Sequence, residues 1–228
     1  QIDAACRRIL EAKYKLGLFE DPYKYGSKER VKADVFNAAH RKEARATAAE
    51  SFVLLKNASV GGAPVLPLKK SGTIALVGPL ADNKQNMPGT WSVAANFENA
   101  VSLYAGLQEL VGDKVKILTA RGSNLDYDSL FEERAGMFNK SLHRDSRPTQ
   151  VLIDEALAIA AKADVIVAAV GESAEMSGEC SSRTYIGIPK AQQDLLKALA
   201  KTGKPIVLVL FTGRPLTLPW ENTNIPAI

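Results

Sequence analysis

Three carboxylates fall within eight residues in the segment Glu172-Ser173-Ala174-Glu175-Met176-Ser177-Gly178-Glu179. The other residues of this segment are small or apolar, and it runs on through Cys180, Ser181, Ser182 and Arg183 to Thr184. A carboxylic acid can protonate a leaving-group oxygen when partial burial or a second carboxylate keeps it neutral near pH 7, and clustered glutamates are one way to arrange that. On spacing alone the same segment also reads as a solvated acidic loop. Arg183 bears on the choice, because a cation held against an acid favours its ionised form. It is equally placed to pair with Glu175 or to cap a strand end, and the sequence leaves these open.

A second candidate lies upstream, where Asp82, Asn83 and the run Pro88-Gly89-Thr90-Trp91-Ser92 put an aromatic ring just after a flexible turn. Tryptophan faces stack on planar and cyclic ligands, but a lone loop tryptophan also packs against its own domain. Trp220, at the end of Leu218-Pro219-Trp220, closes an apolar stretch and reads as core. Other chemistries find no motif: there is no G-x-x-x-x-G-K-[ST], no G-x-G-x-x-G after a strand, no H-E-x-x-H and no G-x-S-x-G. Cys180 adjoins Glu179, yet neither His40 nor His143 has a context that places it beside the thiol, which argues against a cysteine nucleophile. The two cysteines, Cys6 and Cys180, lack metal-type spacing, so neither a metal nor another cofactor is expected. They read as unpaired thiols, with a disulfide as the alternative in an oxidising compartment.

The elements that must position these loops form a regular pattern. Thr73 to Gly78, Lys114 to Ala120, Asp164 to Gly171 and Pro205 to Phe211 read as strands, three of them apolar almost throughout. Strands covered on both faces look like this, because crossover helices lie above and below a parallel sheet. The helices between them are Glu98 to Val111, Leu152 to Lys162 and Lys190 to Lys201, the last with Pro189 at its start and Gly203 past its end. The expected class is α/β: a doubly wound, mostly parallel sheet flanked by helices in a three-layer α/β/α sandwich. Such sheets bind ligands outside the carboxyl ends of their strands. The connections there, Pro79 to Phe97, Arg121 to Gln150 and Glu172 to Ile188, far exceed the roughly 2–6 residues usual in α/β units.

Before the sandwich, Ile2, Cys6, Ile9, Leu10 and Leu16 recur at helical spacing until Gly17, and Asp21-Pro22 opens a linker. Residues 1–36 are therefore taken as a helix and linker, and 37–228 as the sandwich. An Ala-rich helix from Asn37 is expected to run to Asn57, with Phe52-Val53-Leu54-Leu55 as its buried end, before Gly61-Gly62-Ala63-Pro64 breaks it.

The 46% hydrophobic and 24% charged residues of this 228-residue chain describe a globular protein able to bury a sizeable core. The net charge is +4, but 29 Lys and Arg are interleaved with 25 Asp and Glu, so no nucleic-acid partner is expected. No apolar stretch approaches the ~20 residues that span a bilayer. The chain opens on Gln1 without a leader-like segment and stops in Ile225-Pro226-Ala227-Ile228, where a strand begins; both ends read as cuts.

In order along the chain come Lys15-Leu16-Gly17-Leu18-Phe19 with Pro22, Glu50-Ser51-Phe52-Val53-Leu54-Leu55-Lys56-Asn57 with Leu66-Pro67-Leu68, and Ile74-Ala75-Leu76-Val77-Gly78-Pro79. Next are Gly89-Thr90-Trp91-Ser92, Ala163-Asp164-Val165-Ile166-Val167 with Gly171-Glu172, and Gly203-Lys204-Pro205 with Gly213-Arg214-Pro215-Leu216. This series resembles the second domain of family 3 glycoside hydrolases, especially bacterial periplasmic β-glucosidases, over nearly the whole chain.

The resemblance implies a retaining, exo-acting β-glycosidase of the β-glucosidase or β-xylosidase type acting on a β-linked oligosaccharide or glycoside. Its active site would lie between this domain and a (β/α) barrel that carries the nucleophilic aspartate. The matching position for the acid/base is Glu179, late in its loop, with Glu172 the runner-up. Trp91 matches a tryptophan lining the aglycone side in some relatives, although plant exo-glucanases carry another where this chain has Ala95. Arg183 joins Trp91 as a candidate substrate-binding residue. The resemblance also implies a periplasmic or secreted location, and a fragment inactive without its barrel. Two readings compete with it: a non-catalytic carbohydrate-binding or scaffolding domain, and a receptor-type domain for a small anion.

Overall fold

The computed structural model describes residues 1–92, 94–135 and 142–228, which form two compact units, Gln1–Val53 and Leu54–Ile228. The division falls later than the 36/37 boundary suggested by the linker, so the Ala-rich helix groups with the first unit. That unit holds α1 (Ile2–Lys15), α2 (Lys28–Asp34) and α3 (Ala38–Ser51). Ser27 Oγ accepts from Arg30 N and Asn37 Oδ1 from His40 N, which fixes where α2 and α3 begin. The amphipathic pattern of α1 does form a helix, but no residue of it is buried, and Ile2 is 80% and Ile9 61% exposed.

The helix expected to continue to Asn57 stops at Ser51. Phe52-Val53-Leu54-Leu55 is not helical, and these residues are 59–81% exposed rather than buried. From Leu55 onward the physical reason is pairing with Ala227 and Ile228: Leu55 N and Lys56 N both donate to Ile228 O, and Asn57 bridges Ala227 antiparallel. Backbone pairing at a sheet edge holds the run after Leu54 extended, where helical propensity would have wound it.

The second unit begins with the small hairpin β1 (Ser59–Val60) and β2 (Ala63–Pro64). Then come β3 (Gly72–Val77), α4 (Leu103–Val111), β4 (Val115–Ala120), α5 (Ser129–Ala135), α6 (Thr149–Ala160), β5 (Val165–Gly171), α7 (Lys190–Ala200), β6 (Ile206–Phe211) and α8 (Pro219–Asn224). The four long strands pair in parallel in the order β4-β3-β5-β6, with Ile74 opposite both Ile117 and Val165, and Ile166 opposite Ile206. Ala227 adds a parallel bridge to Val207, so the chain's last residues lie between β6 and Asn57.

Alternate residues of each strand supply the two cores, as a sheet covered on both sides requires. Ala75, Val77, Ile166, Ala168 and Leu208 pack with Ile153, Ala156, Leu195 and Leu199 of α6 and α7. Ile74, Leu76, Val167, Ala169 and Val207 pack on the opposite face with Leu103, Leu107 and Val111 of α4. This is the expected three-layer sandwich. Trp220 packs half-buried against the first core, with Lys197 Nζ 5.8 Å from its ring centroid.

Two departures from the expected elements have local causes. The helix expected from Glu98 begins only at Leu103, because Ser102 Oγ caps it by accepting from Ala105 N while donating to Asp82 Oδ1 at 2.6 Å. The long connection after β4 contains α5, which begins beside Asp128, whose Oδ1 accepts from Leu130 N and Phe131 N. That connection is tied to α7 by Tyr127, whose hydroxyl donates to Asp194 Oδ2 at 2.9 Å. Burial, then the hydrogen bond and charge of Asp194, push the Tyr127 phenol up to about 12 from 10.0. The fold therefore favours the protonated phenol. Its contribution to stability is complete below the unfolded pKa near 10 and is lost as pH rises through about 12. A tyrosinate absorbance titration should contain a late component from Tyr127, which disappears in Tyr127→Phe.

Among the described residues, no helix is long and apolar enough to cross a membrane.

Candidate active site

The strand order places the switch in winding direction between β3 and β5: α4 leads outward to one side of β3, while α6 and α7 lead to the other. Open parallel sheets offer their crevice at this point, beyond the carboxyl ends of the two diverging strands. The loop after β3 carries Trp91 and the loop after β5 carries all three clustered glutamates, so topology brings together the two sequence-derived candidates.

The three carboxylates have very different surroundings. Glu172 comes directly after β5, and its backbone N–H donates to Phe211 O at 2.8 Å. Its side chain is fully buried. Arg183 Nη1 donates to its Oε1 at 2.7 Å, Arg214 Nε stands 3.2 Å from the same oxygen, and Thr212 Oγ1 donates to Oε2 at 3.2 Å. The Arg214 Nε contact is an ion pair without hydrogen-bond alignment. Two cations against one buried carboxylate make it a structural anchor for the loop. Glu175 is buried in the 3-10 turn Ala174–Ser177, and its Oε2 accepts from Thr90 Oγ1 at 3.0 Å. Glu179 alone of the three is exposed.

The choice left open for Arg183 is resolved by this geometry: its partner is Glu172, and its Nη2 donates to Gly187 O at 3.0 Å. The side chain is 11% exposed, so these contacts make it a brace for the loop. Trp91 is 71% exposed, on a turn closed by Ser92 Oγ donating to Pro88 O at 2.6 Å. Asn86 and Thr90 latch its loop to the glutamate loop. Asn86 Oδ1 accepts from Ala174 N at 2.7 Å, and Thr90 meets Glu175. Gly178 lies so close to Thr90 that a Cβ there would come within 2.5 Å of Oγ1.

Sequence reasoning missed several of these supports. Gln192 of α7 is fully buried; its Oε1 accepts from Gly171 N at 2.8 Å, and its Nε2 donates to Gly171 O at 2.9 Å and Leu125 O at 2.8 Å. It thus ties the end of β5 to the loop after β4. Arg214, Thr212, Asn86 and Thr90 also went unassigned; the available signal was that Gly213-Arg214-Pro215 comes just after the last apolar strand.

The loop after β6 presses against the glutamate loop at Gly213, where a Cβ would lie 2.1 Å from Ser177 Oγ and 2.7 Å from Ser177 Cβ. The hydroxyl can rotate away but the Cβ cannot, so Gly213→Ala must part the two loops. We expect it to destabilise the fold by about 1–3 kcal/mol, seen as a lowered denaturation midpoint.

Cys6 and Cys180 are both exposed free thiols. Among the described residues, no three His, Cys, Asp or Glu side chains gather in a way that could hold a metal ion.

Comparison with known proteins agrees with this architecture. Residues 52–228 match the glycosyl hydrolase family 3 C-terminal domain. The chain is 48% identical over its whole length to a periplasmic β-glucosidase of Salmonella typhimurium, of which it covers 30%, and 34% identical to a β-xylosidase of Formosa agariphila, of which it covers 29%. A crystal structure of β-glucosidase from Listeria innocua in complex with gluconolactone superposes with a TM-score of 0.74 at 34% identity, covering 96% of this chain and 26% of that one. The chain thus spans about three tenths of the length of these curated relatives. From Phe52 to Ile228 the polypeptide is the C-terminal α/β domain of glycosyl hydrolase family 3, and the chain belongs to that family.

Proposed function

We propose that this chain supplies the general acid/base of a retaining β-glycosidase, of the β-glucosidase or β-xylosidase type, with Glu179 in that role and the nucleophile on another domain. The observation that carries the reading is the contrast among the three loop carboxylates. Glu172 is fixed by two arginines and Glu175 is buried against Thr90, whereas Glu179 is exposed on the loop at the switch point. A retaining mechanism needs a second carboxylate about 5–5.5 Å from the acid/base to attack the anomeric carbon. The relatives' greater length leaves room for the domain that bears it.

In this arrangement Glu179 protonates the leaving oxygen and then accepts a proton from the water that releases the sugar. Trp91 offers an exposed indole face on the neighbouring loop for the leaving-group sugar. Arg183 acts through Glu172 and is not assigned a substrate contact. The exposed apolar residues of α1 and the linker are surface for the nucleophile-bearing domain. The Salmonella relative's name favours a periplasmic or secreted location.

The test is to hydrolyse an aryl β-glucoside and an aryl β-xyloside with the full-length protein and follow the first-formed sugar by NMR. The β-anomer is expected to appear first. Initial α-anomer, or no hydrolysis of either substrate, refutes the reading. Residues 1–228 alone are expected to show no turnover, and measurable turnover by them overturns the division of labour.

A further inference from the structure

Arg214, in the loop after β6, reaches across to the segment that carries Glu179. Its Nη2 donates to Met176 O and, at 2.8 Å, to Ser181 O, so one amino group grips the chain on both sides of Ser177-Gly178-Glu179-Cys180. Its Nε faces the buried Glu172 carboxylate at 3.2 Å. Thr212 Oγ1 accepts from Arg214 N at 3.1 Å, which fixes the start of the side chain. Within the turn, Ser181 Oγ donates to Glu175 O at 2.6 Å, and Cys180 sits at φ 60°, in the left-handed region. A residue with a side chain persists there only when its surroundings hold it.

We propose that Arg214 is a positioning residue for the acid/base. By bridging Met176 O and Ser181 O it holds the turn in the conformation, left-handed at Cys180, that presents Glu179 toward the substrate. This rests on Glu179 being the acid/base. The task suits a guanidinium, whose planar fork can serve two carbonyls and a carboxylate at once, and does not suit the single ammonium of lysine.

The test compares full-length Arg214→Lys with native protein and with Glu179→Gln. Each is assayed on an aryl β-glucoside with a poor leaving group and on the dinitrophenyl β-glucoside, with and without azide. Displacing a catalytic group by about 1 Å costs on the order of 10²-fold. Arg214→Lys should therefore lose about 10- to 100-fold in kcat on the poor leaving group. KM should change by less than about 3-fold, glycosylation by the dinitrophenyl substrate should be largely kept, and some glycosyl azide should form.

If Arg214→Lys folds and keeps native kcat and pH profile while Glu179→Gln is inactive and azide-rescued, the positioning role is wrong and the acid/base assignment stands. If Glu179→Gln turns over like native protein, the underlying assignment has failed instead. Should Arg214→Lys not fold, Thr212→Val, which removes the hydroxyl holding Arg214 N, is measured the same way. A several-fold kcat loss of the same pattern supports the proposal, and native kcat overturns it.

Discussion

Replacing Glu179 by Gln in the full-length protein is expected to lower kcat on a poor-leaving-group β-glycoside by about 10²–10⁴-fold, the usual worth of a positioned general acid or base. Glutamine keeps the shape and can still hydrogen-bond, but it has no proton to give to the departing oxygen and cannot take one from water. The loss should therefore depend on the substrate. A dinitrophenolate leaves without protonation, so its glycosylation step should survive and a glycosyl-enzyme should accumulate. Azide needs no base to attack that intermediate, and glycosyl azide should form with faster turnover. Burst kinetics and product analysis read both effects. Native-like turnover by the variant would leave this domain as a scaffold, because Glu172 and Glu175 are buried against their own partners.

Glu172→Ala is expected to be the most destabilising single change near the site. It removes the carboxylate between Arg183, 11% exposed, and Arg214, 23% exposed, and leaves two poorly hydrated cations facing each other. Breaking a buried pair from one side costs about 3–5 kcal/mol. For a unit of this size that corresponds to a fall in Tm of about 6–20 °C. Arg183→Met should cost less, since Arg214 still faces Glu172. In the double variant Glu172→Ala/Arg183→Met the losses should fall short of additive, because the Arg183 charge that Glu172→Ala leaves unpaired is gone as well. Thermal denaturation of the single and double variants measures this. A shift of less than about 2 °C in Glu172→Ala would show that the ion pair does not hold the loop.

The sheet was legible in the sequence because apolar β-branched runs covered on both faces have few other solutions, and all four predicted strands are within about two residues of those observed. Phe52 to Leu55 was not legible. A short apolar run after a helix reads as more helix unless the distant Ile228 that pairs with its last residue, Leu55, is known. The candidate site was half legible for the same reason. Loop length and topology pointed to the carboxyl edge of the sheet, where the loops carrying Trp91 and the three glutamates do lie, and resemblance singled out Glu179. What separates Glu172 from Glu179 is tertiary: Thr212 lies 40 residues from Glu172 in sequence, and no local spacing links them. Arg183 shows this limit most directly, since its position suited several acidic partners and only the fold selects Glu172.

The pairing of Leu55 to Asn57 with Ala227 and Ile228 also bears on how the domain assembles. Lys56 Nζ donates to Asn222 O across 166 residues of chain, so this strip meets these partners only after the residues between them have been synthesised. Contacts of such sequence separation form late, after the local βα units have collapsed. On the ribosome, Leu55 to Asn57 therefore wait without their backbone partners until Ala227 and Ile228 have been made, and an unpaired strip of this kind is open to misassembly in the meantime.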